Sequence, residues 1–207
     1  TAMRNKRLLR TLSALCLTLV LASGFTVPAF AQGAAPPPAE DTTNDSNVVV
    51  EETEKAPPLT PEGNATLVES GDGLRRRNLL IDCGMPLRRL TARLQQAGVE
   101  PGGLAAVFIT HEHADHAGCV QQLALRLRIP VWMSRGTHAA MGAPDFDGLL
   151  RQARDGDMLD VAGMQLQPFT VPHDAREPLQ LRCSDGDRSL GLATDLGHAS
   201  AHVVDSL

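Results

Sequence analysis

The chain has 207 residues, enough for one domain with a full hydrophobic core and an additional tail. Its apolar content of 43% is ordinary for a globular protein, and its formal net charge is −5. A slightly acidic chain has no overall positive field, so the composition excludes a protein that attracts nucleic acid through net charge alone.

The first 31 residues have the pattern of a secretory signal peptide. Residues 1–31 carry four basic and no acidic side chains, and residues 12–24 form an apolar run that is short for a membrane span. Residues 29–31, Ala-Phe-Ala, predict cleavage after Ala31. We therefore expect export to the periplasm or the medium, with no stable membrane anchor after cleavage. An uncleaved anchor is the alternative.

Residues 32–62 have a different composition from the segments on either side. They are rich in proline, and residues 32–63 carry seven acidic side chains against one basic side chain. The apolar residues show no periodicity, and such a segment cannot bury enough surface to form a core. The pattern predicts a disordered linker over 32–62, followed by one domain over 63–207.

Three cysteines lie beyond the predicted leader, namely Cys83, Cys119 and Cys183. Their number is odd, their spacing is wide, and no C-x-x-C pair occurs, which is a poor basis for a disulfide framework. We expect all three to be small buried side chains.

Beyond residue 62 the hydrophobic pattern alternates between strands, helices and turns. We expect helices over 86–96 and 119–128, with a helical turn over 137–141. Short runs rich in β-favouring residues predict strands at 64–70, 78–82, 104–110, 129–133, 158–161, 164–171, 179–183 and 190–195. Strand–helix units followed by hairpins predict an α/β sandwich that carries its ligands on strand ends and loops.

The most informative stretch is residues 107–118, VFITHEHADHAG. A short apolar strand runs directly into His111, His113, Asp115 and His116. Imidazole and carboxylate are ligands that zinc and similar divalent metals prefer. Alternate residues of an extended strand end point the same way, so His111 and His113 can share one metal. Asp115 and His116 can face a second metal, about 3.5–4 Å from the first, with one shared hydroxide.

This H-x-H-x-D-H run resembles the signature of the metallo-β-lactamase superfamily of two-metal hydrolases, and the resemblance extends over roughly residues 63–202. It implies an αββα sandwich and two divalent metal ions, with zinc expected and manganese as the alternative. The superfamily's ligands correspond here to His111, His113 and His173 for one metal, Asp115 and His116 for the other, and Asp195 as the bridge. Asp115 and His116 are also the residues expected to act in catalysis, and Asp82 is expected to orient the metal loop.

Two segments are most similar to the WalJ/YycJ branch, whose members are regarded as DNA-processing nucleases or phosphodiesterases. Residues 173–178, HDAREP, stand where lactamases and glyoxalase II-like thioesterases more often carry G-H-T-x-G. Asp195 ends the strand LGLATD, and most lactamase branches lack this bridging carboxylate. The resemblance implies a hydroxide, activated by two metals, that attacks a phosphodiester bond in a small molecule or a nucleic acid.

Two departures from that branch leave alternatives open. Residues 57–61, PPLTP, replace a glycine/serine-rich S-L-G-S-G-S loop, and the superfamily's last histidine ligand is expected beyond residue 207. We therefore expect the sandwich to be incomplete at its C-terminus, with His198 and His202 as the candidates to replace that ligand. The alternatives are a secreted β-lactamase or thioesterase of the same fold, and an inactive metal-binding fragment.

Overall fold

The computed structural model describes residues 21–22, 63–71 and 76–207. The predicted linker over 32–62 lies outside these residues, and so does the predicted signal peptide apart from residues 21–22. Both therefore stay predictions. Among the described residues, no helix has the length and apolar composition needed to cross a membrane.

The described strands are β1 Leu21–Ala22, β2 Thr66–Gly71, β3 Arg76–Ile81, β4 Leu104–Phe108, β5 Val131–Met133, β6 Leu150–Gln152, β7 Leu159–Val161, β8 Met164–Thr170, β9 Leu179–Ser184 and β10 Ser189–Leu192. The α-helices are α1 Leu87–Gln96, α2 Ala114–Ala117, α3 Val120–Leu127, α4 Arg135–Ala140 and α5 Ala201–Ser206. One short 3-10 helix, Pro101–Gly103, leads into β4.

The strands form two five-stranded sheets. The first sheet has the order β2-β3-β4-β5-β6, in which β2 is antiparallel to β3 and the strands from β3 to β6 are parallel. The second sheet has the order β1-β10-β9-β8-β7 and is antiparallel throughout. Because β3 and β4 are parallel neighbours, the residues that follow them emerge at the same edge of the sheet.

The core follows from the two-residue period of the central strands. Leu79 of β3 and Phe108 of β4 face the second sheet, where they pack with Leu166 and Leu181. Alternate residues, such as Val107 of β4, face the other way and pack against α1 and α3. On the far side, Val203 of α5 packs against Phe169 and Val171 at the end of β8. The order helix, sheet, sheet, helix confirms the predicted αββα fold class.

Several predictions about the elements differ from the structure. The strand predicted to end at Asp195 ends at Leu192, and the short strand β6 was not predicted. Strand β4 ends at Phe108, not at residue 110, because the backbone N–H of Thr110 donates to Oδ1 of Asp82 (2.9 Å) instead of to a neighbouring strand. The helix predicted over 119–128 is preceded by a separate turn of helix, α2, which begins within the H-x-H-x-D-H run. The three cysteines among the described residues, Cys83, Cys119 and Cys183, are free and buried, as predicted.

Candidate metal centre

The candidate ligands are brought together by the ends of strands from both sheets. Residues 109–116 follow β4, while His173 follows β8 and Asp195 follows β10. The two sheets are joined at this edge by a hydrogen bond in which the backbone N–H of Leu179, at the start of β9, donates to the carbonyl oxygen of Thr110 (2.9 Å). Residues far apart in sequence thus meet at one end of the sandwich.

Three histidines form the first group. Nε2 of His111 lies 3.1 Å from Nδ1 of His113 and 3.2 Å from Nε2 of His173. Zinc binds nitrogen at about 2.0–2.1 Å with tetrahedral geometry, which corresponds to an edge of about 3.3 Å between two ligand nitrogens. The observed separations are therefore those of a nitrogen triad that fits one metal ion.

The second group consists of His111, His116 and Asp195, whose candidate ligand atoms all lie within 4.8 Å of one another. Oδ2 of Asp195 lies 3.1 Å from Nε2 of His116, and Oδ2 of Asp115 lies 3.6 Å from the same nitrogen. His111 is a member of both groups.

Oδ2 of Asp195 is a buried carboxylate oxygen that accepts no hydrogen bond from the described residues, although Nε2 of His116 lies 3.1 Å away. Burying such an atom is costly unless a partner compensates it. A divalent cation between His116 and Asp195 would be such a partner, so the residues present fit the metal ions that the superfamily pattern implies.

Asp82 and Thr110 hold the histidines from behind. Oδ2 of Asp82 lies 2.8 Å from Nδ1 of His116, and the hydroxyl of Thr110 contacts both oxygens of Asp82 at 2.9 and 3.1 Å. The same hydroxyl lies 3.0 Å from Nδ1 of His111. These contacts occupy the Nδ1 atoms of both rings, so Nε2 faces the two groups in each case.

The surroundings set the protonation of the two buried rings in opposite directions. Burial lowers the pKa of His111 to about 3, and repulsion from His116, His173 and His113 adds to this effect. Burial also opposes the charged form of His116, but the hydrogen bond and charge of Asp82, with Asp195 and Asp115, raise its pKa overall. His111 is therefore neutral and keeps a free lone pair near pH 7.

Both supporting aspartates have backbone conformations that favour their positions. Asp82 has φ of 61° and Asp195 has φ of 54°, in the left-handed region that aspartate tolerates better than most residues. In each case the chain turns sharply at or just after a strand end. This aims the carboxylate toward the histidines instead of along the sheet.

Two residues that sequence analysis did not single out also contact the site. Nδ2 of Asn64 lies 2.8 Å from Nε2 of His116 and donates to Oδ2 of Asp115 at 3.1 Å. Oε1 of Glu112 accepts a hydrogen bond from the backbone N–H of Arg176 (2.8 Å), which ties the loop after His173 to the metal loop. Sequence analysis had placed Asn64 only at the start of the strand predicted over 64–70, and Glu112 is one of the variable x positions of the H-x-H-x-D-H motif.

Other histidines do not join these groups. His138 contacts the carbonyl oxygen of Pro144 through Nε2 (2.9 Å), and His202 contacts Oδ1 of Asp155 (3.1 Å). Among the described residues, the two groups with metal-binding geometry contain neither His198 nor His202. The structure therefore does not support either residue as a substitute for the superfamily's last ligand.

Comparison with known proteins gives one family match and several relatives. The sequence profile described as "Metallo-beta-lactamase superfamily" matches residues 60–207. Exodeoxyribonuclease YycJ of Bacillus anthracis is 29% identical over 133 residues, which are 62% of this chain and 50% of that protein. Exodeoxyribonuclease WalJ of Streptococcus pneumoniae is 29% identical over 147 residues, with 69% and 53% covered. The chain thus spans about half the length of these curated relatives.

Among solved structures, the metallo-beta-lactamase fold protein YhfI of Bacillus subtilis superposes with a TM-score of 0.51 at 19% sequence identity. The superposition covers 65% of this chain and 56% of that one. At this identity the likeness bears on the fold alone.

Proposed function

Because the chain belongs to the metallo-beta-lactamase superfamily, we propose that it is a metal-dependent hydrolase of phosphodiester bonds. The observation that carries this proposal is the pair of adjoining groups, three histidines beside His116 and the carboxylate of Asp195. The similarity to two exodeoxyribonucleases supports a phosphodiester as substrate, with nucleic acid as the first candidate and a smaller phosphodiester as the second.

Two divalent ions bound at these groups would polarise a phosphoryl oxygen and lower the pKa of a bound water. The chain's own residues prepare the site for such ions. The imidazole nitrogens of His111, His113 and His173 can donate lone pairs to an ion, while the carboxylates of Asp115 and Asp195 can offset the charge of the cations. Asp82 holds His116 in the orientation that leaves Nε2 free.

Zinc is the first candidate for the metal, because three of the ligand atoms at one group are imidazole nitrogens at tetrahedral separations. The carboxylates of the second group suit manganese as well, which makes manganese the alternative there. Export through the predicted leader is also part of the proposal, and cell fractionation with an antibody to the folded domain tests it.

The function is tested with metal-stripped protein to which zinc or manganese is returned. Substrates are bis(p-nitrophenyl) phosphate, end-labelled DNA, nitrocefin and a thioester. We expect metal-dependent hydrolysis of the first two, and loss of that hydrolysis in Asp195→Asn. Asp160→Asn, an exposed aspartate on β7, serves as the matched control and is expected to retain activity.

The same panel identifies the competing functions. Turnover of nitrocefin or the thioester without phosphodiester hydrolysis would contradict the proposal and support a β-lactamase or a thioesterase. Tight metal binding without turnover of any substrate would support an inactive metal-binding module.

A further inference from the structure

Asn64 lies against the second group although it is far from that group in sequence. Its Nδ2 atom is within hydrogen-bonding distance of two candidate metal ligands, Nε2 of His116 at 2.8 Å and Oδ2 of Asp115 at 3.1 Å. These two atoms are the ones that would face a metal ion. The Asn64 side chain thus contacts the group from the side opposite to Asp82.

The position of Asn64 is fixed by its backbone. The N–H of Asn64 donates to the carbonyl oxygen of Asp115 (2.6 Å), and the carbonyl oxygen of Asn64 accepts from the N–H of Gly84 (2.9 Å). The preceding residue, Gly63, packs so closely that a Cβ atom there would lie 2.1 Å from the carbonyl carbon of Gly84. The segment is therefore held against the metal loop, and the amide cannot easily move away from it.

The chemistry of the amide suggests what it does there. The amide nitrogen carries two hydrogens and has no free lone pair, so it can donate hydrogen bonds but cannot bind a metal ion. It therefore suits the acceptor atoms of His116 and Asp115 when no ion is bound to them. A half turn about the last side-chain bond exchanges nitrogen for Oδ1, and neutral amide oxygens are ligands for divalent metals. The exchange adds one ligand atom without adding charge to a group that already has the carboxylate of Asp195, with that of Asp115 beside it.

We propose that Asn64 is a further ligand of the metal ion at the second group, through Oδ1 after this half turn. The inference rests on the proposed two-metal site but not on the identity of the substrate. It assigns to Asn64 a direct role in holding the second ion, beside His116, Asp115 and Asp195.

The test is a titration of metal-stripped protein with Co²⁺, followed by visible absorption and by calorimetry. We expect Asn64→Ala to weaken binding of the second equivalent about 10–100-fold, the range seen when a supporting partner of a metal site is lost. The first equivalent should be unchanged, which also verifies the fold. Asn64→Asp, which keeps an oxygen at this position, should bind the second ion at least as tightly as the wild type.

Asn78→Ala is the control, because the amide of Asn78 is buried and donates to the carbonyl oxygen of Gly103, not to a candidate metal ligand. It should leave both equivalents unchanged. Second-ion binding in Asn64→Ala that equals or exceeds the wild type would overturn the proposal and show that the amide only covers the metal-free group.

A second measurement needs no variant. In nitrogen-15 NMR spectra, the side-chain amide resonances of Asn64 should move with the second equivalent of Zn²⁺ and not with the first. Resonances that stay in place through both equivalents would contradict a ligand role. Neither measurement uses a substrate, so a failure of phosphodiester hydrolysis is recorded separately from a failure of this inference.

Discussion

Oδ2 of Asp82 and Nδ1 of His116 lie 2.8 Å apart, and both side chains are almost completely buried. The contact joins the end of β3 to the helix that follows the metal loop. It fixes the ring of His116 so that Nε2 points toward Asp195, and it provides a charged partner that raises the pKa of His116. Asp82 is not one of the candidate ligands, yet its contact with His116 determines where the second group forms.

Asp82→Asn should weaken metal binding at the second group about 10–100-fold while the chain stays folded. Asparagine tolerates the positive φ of this position and keeps the shape of the side chain, but it loses the charge that faces His116. Calorimetric zinc titration measures the effect. Thr110→Ser, which retains the hydroxyl in contact with Asp82, should bind like the wild type. Equal affinities in Asp82→Asn and the wild type would refute the orienting role.

The metal-free chain should lose stability as the pH falls from about 6.5 toward 3. The pKa of His111 is lowered from its ordinary value of 6.5 to about 3, so the unfolded chain binds a proton there that the folded chain does not. The contribution of His111 to the free energy of unfolding is therefore fully present above pH 6.5. It decreases on acidification, by at most roughly 3 kcal/mol at pH 4.

His116 acts in the opposite direction, since its raised pKa contributes stability at low pH that is lost as the pH rises through the folded value. Urea unfolding from pH 4 to 8 compares the wild type with His111→Gln, both stripped of metal. The variant should show a smaller loss of stability on the acid side. Parallel pH profiles for the two proteins would rule out the low pKa of His111.

Glu112→Ala should loosen the loop that carries His173. The variant loses the carboxylate that accepts a hydrogen bond from the backbone N–H of Arg176 (2.8 Å). The same loop keeps a second hydrogen bond, in which the backbone N–H of Gly136 donates to Glu177 (2.5 Å). We expect the affinity of the three-histidine group for zinc to fall about tenfold. Hydrogen exchange should rise over residues 173–177. Glu69→Ala, on β2 and away from the site, is the control, and a matching loss of affinity in that variant would indicate a nonspecific effect.

The sequence predicted the parts of the site that are continuous in the chain. His111, His113, Asp115 and His116 follow one apolar strand, and a strand end with alternating histidines already indicates a shared face. His173 and Asp195 could be assigned only through the family resemblance, because no local pattern shows that the ends of β8 and β10 meet the end of β4.

Asn64 and Glu112 could not have been predicted from local pattern. Asn64 contacts residues 51 and 52 positions away, and Glu112 contacts one 64 positions away. Such contacts depend on the packing of the two sheets. Strand β6 was missed for a related reason, since three residues of mixed polarity form a strand there only because β5 supplies its hydrogen-bond partners.

The most direct test of the metal centre is the metal content of His111→Ala. His111 is fully buried and belongs to both groups, so its removal should affect both ions. Protein dialysed against zinc and then against metal-free buffer is analysed by mass spectrometry, with circular dichroism to verify the fold. His138→Ala, whose ring contacts Pro144, is the control and should bind zinc like the wild type. We predict that His111→Ala is folded and loses most of its bound zinc, whereas unchanged zinc stoichiometry would contradict the site.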